Sequence, residues 1–218
     1  MNSHTYDNKP KEYFGQGRSE MMKFVPGGIR TLLEIGCGKG EFVALLKTQH
    51  PIHATGVEPF PEAAAVARRH FDVLFETSID DALTQMQGQK FDCIVFNDVL
   101  EHLVDPWAVL RSVKPLMAEN GRVVASIPNM RFWPVLNALF LHGSWDYADA
   151  GVLDRTHLRF FTRSTIRNLF DTSGLKVERM EGINKIELPW KIALLNRFIG
   201  HRFDDTQFTQ FACVARAD

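Results

Sequence analysis

The segment from Thr31 to Gly40 constrains the fold of this 218-residue chain more than any other. It reads TLLEIGCGKG, which is an apolar strand, a turn with three glycines and the start of a helix. A second apolar stretch then ends in Gly56, Val57 and Glu58. This order is typical of the first βαβ unit of a nucleotide-binding sheet, where glycines let the backbone approach the ligand and an acid binds ribose hydroxyls. The alternative is a strand-to-helix turn with a structural role alone.

The glycine spacing and the nearby acids favour one class of nucleotide. The glycines follow G-x-G-x-G, and Glu41 stands where a dinucleotide-binding motif has its last glycine. A carboxylate at Glu34, at the edge of the turn, would repel a pyrophosphate but attract a sulfonium or an ammonium group. These residues predict S-adenosylmethionine as the ligand, and the segment resembles motif I of the class I methyltransferases.

The length and composition fit one large α/β domain. With 45% hydrophobic residues the chain can bury a core, and no stretch approaches the roughly 18 apolar residues of a membrane span. We predict a single methyltransferase domain over residues 1–218, with an N-terminal lid at 1–30 and substrate-side insertions at 129–161 and 187–203. The net charge of -1 gives no reason to expect a nucleic-acid partner. Without a visible signal peptide and with three scattered cysteines, we expect a cytoplasmic monomer or homodimer.

Strands and helices alternate along the chain, which predicts a doubly wound, mostly parallel sheet with helices on both faces. The predicted strands are Thr31–Ile35, His53–Glu58, Val73–Phe75, Phe91–Asn97, Gly121–Ile127, Leu175–Met180 and Thr209–Arg216. The predicted helices are Gly40–Gln49, Pro61–Arg69, Asp80–Gln87, Thr162–Ser173, and one that Asp105 caps and Asn120-Gly121 ends. The resemblance implies the Rossmann-like methyltransferase fold, whose seven-stranded sheet has its seventh strand antiparallel to the rest.

Ten residues are candidates for binding the cofactor, and most of them follow the first four strands. They are Arg18, Glu34, Gly36, Cys37, Gly38, Glu58, Pro59, Ser78, Ile79 and Asn97. The glycine turn and the next helix N-terminus would receive the carboxylate of the methionine end. Arg18 would pair with the same carboxylate, as an arginine before the first strand does in related enzymes, or it is a solvated surface residue. Ser78 and Ile79 would flank the adenine.

A second cluster follows the fourth strand. Asp98, Glu101 and His102 stand at i, i+3 and i+4, so on a helical turn all three can face the same way. Their distant partner is His157, in the stretch DRTHLRFF. With the IPN sequence at 127–129, this pattern is similar to the ubiquinone-biosynthesis O-methyltransferases and to glycan-cluster methyltransferases. It is also similar to small-RNA 2′-O-methyltransferases, whose two acids and two histidines hold magnesium, although both of their acids are glutamates.

Two interpretations of this cluster stay open. Asp98, Glu101, His102 and His157 could hold Mg²⁺ or Mn²⁺, which would position a hydroxyl and lower its pKa. Without a metal, Glu101 and His102 would fix the turn, and His157 would serve as a general base or as a packed histidine. His157 and His102 are therefore the candidate catalytic residues.

The function predicted is O-methylation by S-adenosylmethionine of a small or lipid-linked acceptor. Oxygen as the acceptor atom rests mainly on the resemblance. Aromatic residues in 130–147 and arginines in 155–167 would suit an amphipathic acceptor. Two other classes remain: an NAD(P)-dependent Rossmann oxidoreductase, which Glu34 and the glycine spacing argue against, and a non-catalytic cofactor-binding module.

Overall fold

The computed structural model describes residues 17–218. Residues 1–16, which belong to the predicted N-terminal lid at 1–30, lie outside the described residues. The described part of that segment contains a 3-10 helix, Ser19–Phe24, whose Met21 and Phe24 are buried.

One seven-stranded sheet organises the described residues. Its strands are β1 Thr31–Ile35, β2 His53–Val57, β3 Val73–Phe75, β4 Phe91–Asn97, β5 Met117–Pro128, β6 Leu175–Lys185 and β7 Phe208–Ala217. The helices are α1 Glu41–Lys47, α2 Pro61–Ala67, α3 Ile79–Gln85, α4 Pro106–Val113, α5 Trp133–His142, α6 Arg163–Thr172 and α7 Trp190–Phe198. Further 3-10 helices are Leu100–His102, Lys114–Leu116 and Asp204–Gln207.

The strand order is β3-β2-β1-β4-β5-β7-β6. Strands β1 to β5 pair in parallel, whereas β7 is antiparallel to both β5 and β6. The strand order reverses between the paired neighbours β1 and β4, so the connections that follow them run in opposite directions. Open α/β sheets bind ligands beyond the carboxyl ends of the strands at such a switch point. This confirms the predicted doubly wound, mostly parallel fold with an antiparallel seventh strand.

Helices cover the sheet on both faces because successive strand residues point in opposite directions. In β1, Leu33 belongs to the apolar cluster that includes Leu110 and Phe170, whereas Leu32 belongs to the one that includes Val43 and Leu46. The central strand β4 is apolar from Cys93 to Phe96, since this part is buried on both faces. These two layers hold the carboxyl ends of β1 and β4 in place.

The helix that follows Asp105 is shorter than predicted. Asp105 caps it as expected, accepting a hydrogen bond from the Ala108 amide at 2.8 Å, but α4 ends at Val113 and not at Asn120-Gly121. Pro115 follows, and its ring and missing amide hydrogen disfavour a longer helix. The prediction was wrong because Gly121 is not a helix stop. It lies inside β5, where an added Cβ would come within 2.9 Å of the Phe91 carbonyl oxygen.

Two long connections contain one helix each. α5 lies within the predicted insertion at 129–161, and α7 lies within the one at 187–203. Both leave the edge of the sheet at which β5 and β6 end and β7 begins. None of the helices in residues 17–218 has the length and apolar character needed to cross a membrane. Whether these insertions bind the substrate stays a prediction.

Candidate active site

A cavity of about 870 Å³ opens at the carboxyl ends of the parallel strands. That volume lies within the usual range for small-molecule sites. Its wall includes all ten predicted cofactor-binding residues and all four residues of the second cluster. The structure therefore brings the two predicted groups of residues to one cavity.

The glycine turn forms the floor of the cavity. Gly36, Gly38 and Gly40 have φ angles of 65°, 54° and 76°, in the left-handed region that other residues rarely adopt. An added Cβ at Gly36 would also come within 2.7 Å of a methyl group of Val99. The amides of Gly36 and Cys37 donate to the Val57 carbonyl, which ties the turn to β2. Glycine is thus required at position 36 both by the positive φ angle and by the lack of space for a side chain beside Val99.

Glu58 braces this turn from the end of β2. One carboxylate oxygen accepts a hydrogen bond from the Gly38 amide at 2.7 Å, and the other accepts one from the Phe60 amide at 3.0 Å. Burial raises the pKa of Glu58 to about 7, although these two hydrogen bonds act in the opposite direction. The side chain therefore fixes the loop around the cavity, and each oxygen keeps a lone pair that a ribose hydroxyl could use.

Glu34 is a buried acid with an incomplete set of partners. Its Oε1 accepts a hydrogen bond from the Asn97 side-chain amide at 3.3 Å, whereas Oε2 accepts none from the described residues. Burial raises the pKa of Glu34 to about 8. An uncompensated buried carboxyl is costly, and a cation placed beside it would lower that cost. This arrangement fits a ligand with a positively charged methionine end.

Asp98 and Arg18 form an ion pair in the cavity wall. The Arg18 Nη1 lies 2.7 Å from Asp98 Oδ2, and the Ser126 hydroxyl and the Gln210 amide donate to Asp98 Oδ1 at 2.9 and 2.7 Å. Arg18 also lies 3.3 Å from a Glu20 oxygen. Burial raises the pKa of Asp98, and Arg18 opposes that shift. The predicted role of Arg18 toward the cofactor carboxylate stays a prediction.

Glu101, His102 and His157 converge on the other side of the cavity. One side-chain donor atom from each of these buried residues lies within 4.8 Å of the others. Asp98 is not part of this group. The prediction that Asp98 faces the same way as Glu101 and His102 on a helical turn was therefore wrong. The φ of 55° at Asp98 interrupts the chain before the 3-10 helix Leu100–His102, so Asp98 points toward Arg18 instead.

Backbone carbonyls set the orientation of both imidazoles. His157 Nδ1 lies 3.0 Å from the Val152 carbonyl oxygen, which can only accept, so Nδ1 carries the hydrogen. His102 Nδ1 lies 3.2 Å from the Thr156 carbonyl oxygen, and the Thr156 hydroxyl is already donated to Asp154 at 2.7 Å. In its neutral form each ring therefore has its lone pair on Nε2.

Glu101 is a buried acid whose pKa is raised well above its usual value. It is 1% exposed, and neither carboxylate oxygen accepts a hydrogen bond from the described residues. Burial and, after it, the charge of Asp98 raise its pKa well above the usual range. Its Oε1 lies 4.0 Å from His157 Nε2. A buried acid beside an imidazole lone pair is an arrangement suited to proton transfer.

Sequence reasoning missed several polar residues of this cavity wall or of its support. Among them are Asp154, Thr156, Asn184 and Gln210. The Asp154-x-Thr156 spacing is a usable signal, because aspartate commonly accepts hydrogen bonds from the backbone two residues on. Gln210 and Asn184 carry no local signal, since they meet only through the pairing of β6 with β7.

Comparison with known proteins agrees with this geometry. A family model described as a methyltransferase domain matches residues 6–179. The ubiquinone biosynthesis O-methyltransferase of Aeromonas salmonicida is 27% identical over 188 residues, which cover 81% of this chain and 76% of that protein. The corresponding protein of Xylella fastidiosa strain 9a5c is 28% identical, over 72% of this chain and 68% of its own length.

Solved structures share the fold at lower sequence identity. A SAM-dependent methyltransferase from Archaeoglobus fulgidus superposes with a TM-score of 0.67 at 19% identity, covering 94% of this chain and 96% of that one. The 1,6-didemethyltoxoflavin-N1-methyltransferase of Burkholderia thailandensis, solved with S-adenosylhomocysteine bound, gives a TM-score of 0.60 at 15% identity. It covers 92% of this chain and 78% of that one.

The match to the family model spans most of the chain, and the cavity has the floor and the buried acids that the cofactor class requires. This decides against the oxidoreductase and non-catalytic alternatives. The chain belongs to the methyltransferase-domain family and is a class I methyltransferase that uses S-adenosylmethionine.

Proposed function

We propose that this enzyme methylates a hydroxyl group of a small or lipid-linked acceptor. The observation that carries the proposal is the pair formed by the Glu101 carboxylate and His157 Nε2, 4.0 Å apart and buried beside the cofactor half of the cavity. The names of the ubiquinone biosynthesis O-methyltransferases, which are similar over most of the chain, support the same acceptor atom.

A hydroxyl acceptor needs this kind of group more than an amine does. A neutral amine already offers a lone pair to the methyl group, whereas a phenol, with a pKa near 10, becomes a good nucleophile only when its proton is removed. In the proposed reaction the acceptor oxygen attacks the methyl carbon and the carbon–sulfur bond breaks. The acceptor proton passes to His157 Nε2, and the products are a methyl ether and S-adenosylhomocysteine.

The fixed tautomer makes His157 suitable as this base. Its Nδ1 hydrogen is donated to Val152, so the acceptor proton can be taken up only at Nε2, 4.0 Å from Glu101 Oε1. The positive charge of the imidazolium would lower the raised pKa of Glu101 and favour its ionised form as the proton arrives. His102 packs edge-on against the His157 ring, with ring centroids 4.7 Å apart, and limits its rotation. His102 is thus a positioning residue in this proposal.

A metal-assisted version of the same reaction rests on a specific observation. Glu101, His102 and His157 offer three donor atoms within 4.8 Å of one another, and both imidazoles donate Nδ1–H to backbone carbonyls, as metal-binding histidines usually do. Mg²⁺ or Mn²⁺ held there would act as a Lewis acid on the acceptor oxygen. Asp98 would not be a ligand in this geometry, because Arg18, Ser126 and Gln210 already engage it.

The test is methyl transfer from labelled S-adenosylmethionine to paired acceptors that differ in one atom. Catechol and a prenylated catechol would be compared with their amino analogues, with chelator or with added Mn²⁺. Methylation of the hydroxyl compounds alone, at the same rate with chelator, supports His157 as the base. A strict need for the metal supports the metal-assisted version, and methylation of the amines alone would refute the proposed function.

A further inference from the structure

Helix α7 has its polarity inverted relative to an ordinary surface helix. Trp190, Leu194 and Phe198 are 72%, 50% and 79% exposed, and Leu195 is exposed as well. The one buried residue of the helix is the polar Asn196. Surface helices normally bury their apolar stripe and expose their polar residues.

Specific hydrogen bonds hold α7 in this orientation. The Asn196 amide donates to Asp204 Oδ1 at 2.6 Å, and its oxygen accepts the Phe203 amide at 2.7 Å. These bonds tie Asn196 to the segment that follows α7, and the residues on the far side of the helix are the exposed ones. Trp190, Leu194 and Phe198 follow one another at i, i+4 and i+8, which places them on a single outward stripe.

Basic residues accompany this stripe. From Lys185 to Arg202 the chain has four basic residues and one acid, Glu187. Lys191 and Arg197 lie within α7, which has no aspartate or glutamate. A helix with tryptophan and phenylalanine on an exposed face and with lysine and arginine nearby has the character of one that lies in the interface of an anionic bilayer.

The helix belongs to a connection whose two ends line the active-site cavity. It connects β6 to β7, and Asn184 at the end of β6 and Thr209 and Gln210 at the start of β7 line the cavity. The insertion at 129–161 also contributes a row of aromatic rings that ends at His157. The ring of exposed Trp145 packs 5.9 Å from that of Phe160, which lies 6.4 Å from the His157 ring.

We propose that α7 docks the enzyme on the surface of an anionic lipid bilayer, with Trp190, Leu194 and Phe198 entering the interfacial layer. This inference rests on the proposed function, since it assigns the acceptor to the lipid-linked class. The bilayer supplies both the apolar environment that the stripe requires and the negative charge that Lys191 and Arg197 complement. An acceptor anchored in that layer would reach the cavity without leaving the membrane.

The experiment is flotation of the full-length enzyme with vesicles of phosphatidylglycerol and phosphatidylcholine, compared with vesicles of phosphatidylcholine alone. Two double variants test the helix: Trp190→Ser with Phe198→Ser, and Lys191→Gln with Arg197→Gln. Their matched controls are Val73→Ser on the opposite sheet edge, and Lys176→Gln at the start of β6. We expect each double variant to bind anionic vesicles at least about tenfold more weakly, and the controls to bind as the wild type does.

A parallel assay separates this inference from the proposed function. With a water-soluble catechol in the absence of vesicles, all the variants should keep wild-type rates. Loss of vesicle binding with retained catechol methylation supports the docking surface. Failure of the wild type to bind vesicles overturns it, and so does a wild-type dimer that the double serine variant converts to monomer, because a second copy would then cover α7.

Discussion

Two parts of the cavity are built in different ways. The part around the glycine turn, Glu34 and Glu58 is the one we propose for the cofactor (the cofactor half), and the part around Glu101, His102 and His157 is the one we propose for the acceptor (the acceptor half). In the cofactor half, the Glu58 carboxylate engages two backbone amides, so the loop and its acid hold one another in place. In the acceptor half, the Glu101 carboxylate accepts no hydrogen bond from the described residues and lies beside two imidazoles. Both halves contain a buried acid with a raised pKa, Glu34 in the first and Glu101 in the second, but only the first also has a carboxylate that braces the backbone.

The contrast indicates how the site divides binding from chemistry. Backbone groups cannot change their charge, so they suit a cofactor that must be held in one position. An acid beside imidazoles, as in Glu101 with His102 and His157, can take up or release protons, so it suits an acceptor that must lose one. Substitutions in the two halves should therefore affect binding and turnover separately.

Removing the base should have the largest effect. We expect His157→Gln to lower kcat by about 10²- to 10⁴-fold, the usual contribution of a positioned general base, with little change in the affinity for S-adenosylhomocysteine. Steady-state rates and calorimetric titration measure the two quantities. His142→Gln, at the exposed end of α5, is the control. An unchanged kcat, or a loss of cofactor affinity alone, would contradict the assignment of His157 as the base.

The buried acid of the cofactor half should produce a pH dependence. The pKa of Glu34 is raised to about 8 in the folded protein from a usual value near 4.5, so the folded state binds the proton more tightly than the unfolded chain. Its contribution to stability is present below pH 4.5 and is lost as the pH rises through about 8. Glu34→Gln should therefore be more stable than the wild type at pH 8, by up to a few kcal/mol without ligand.

Urea unfolding at pH 5 and at pH 8 checks this prediction. The gain of Glu34→Gln over the wild type should be much smaller at pH 5. Glu34→Gln should also bind S-adenosylmethionine more weakly at pH 8, since the amide cannot offset a cationic ligand. Equal stability of the two proteins at both pH values would show that burial does not raise the pKa of Glu34.

The glycine turn should be sensitive to a single methyl group. Gly36→Ala places a side chain at a φ of 65° and within 2.7 Å of Val99, so we expect a loss of about 1–3 kcal/mol in stability and a matching fall in cofactor affinity. Gly27→Ala is the control, because its Cβ would meet nothing within 4 Å. If both variants bound S-adenosylhomocysteine like the wild type, the cradle would not depend on its backbone shape.

An effect on stability alone, without the loss of cofactor affinity expected for Gly36→Ala, should come from the network that joins the halves. Gln210→Leu removes the amide that donates to Asp98 and the carbonyl oxygen that accepts from Arg18 and Asn184. This loss should lower the free energy of unfolding by about 1–3 kcal/mol. Chemical denaturation measures this loss, with the exposed Gln87→Leu as control. A stability equal to that of the control would mean that Asp98 and Arg18 hold together without β7.

The same contrast explains what the sequence could predict. Three strands, Thr31–Ile35, Val73–Phe75 and Phe91–Asn97, have the bounds that their apolar patterns indicated. The glycine turn is equally local, because a strand, a tight turn and a helix follow one another within a short stretch. The conformation of such features depends on residues close together in the sequence, so the local sequence pattern predicts them well.

The acceptor half depends on contacts between distant segments. Arg18, Asp98 and Gln210 come from three separate parts of the chain, and no spacing rule relates them. The predicted grouping of Asp98 with Glu101 assumed a regular helical turn, whereas the positive φ of Asp98 redirects its side chain. The helix after Asp105 is shorter than predicted for a local reason, since Pro115 lacks the amide hydrogen that a longer helix would need.

The position of β7 has a consequence for how the enzyme is made. This strand follows β6 in the sequence, yet it lies between β5 and β6 in the sheet. A ribosome therefore delivers both neighbours before the strand that separates them, and until residue 208 emerges β5 keeps an open edge on which another chain can pair. Gln210 joins Asp98 only at that stage, so the nascent polypeptide completes its acceptor pocket late in translation.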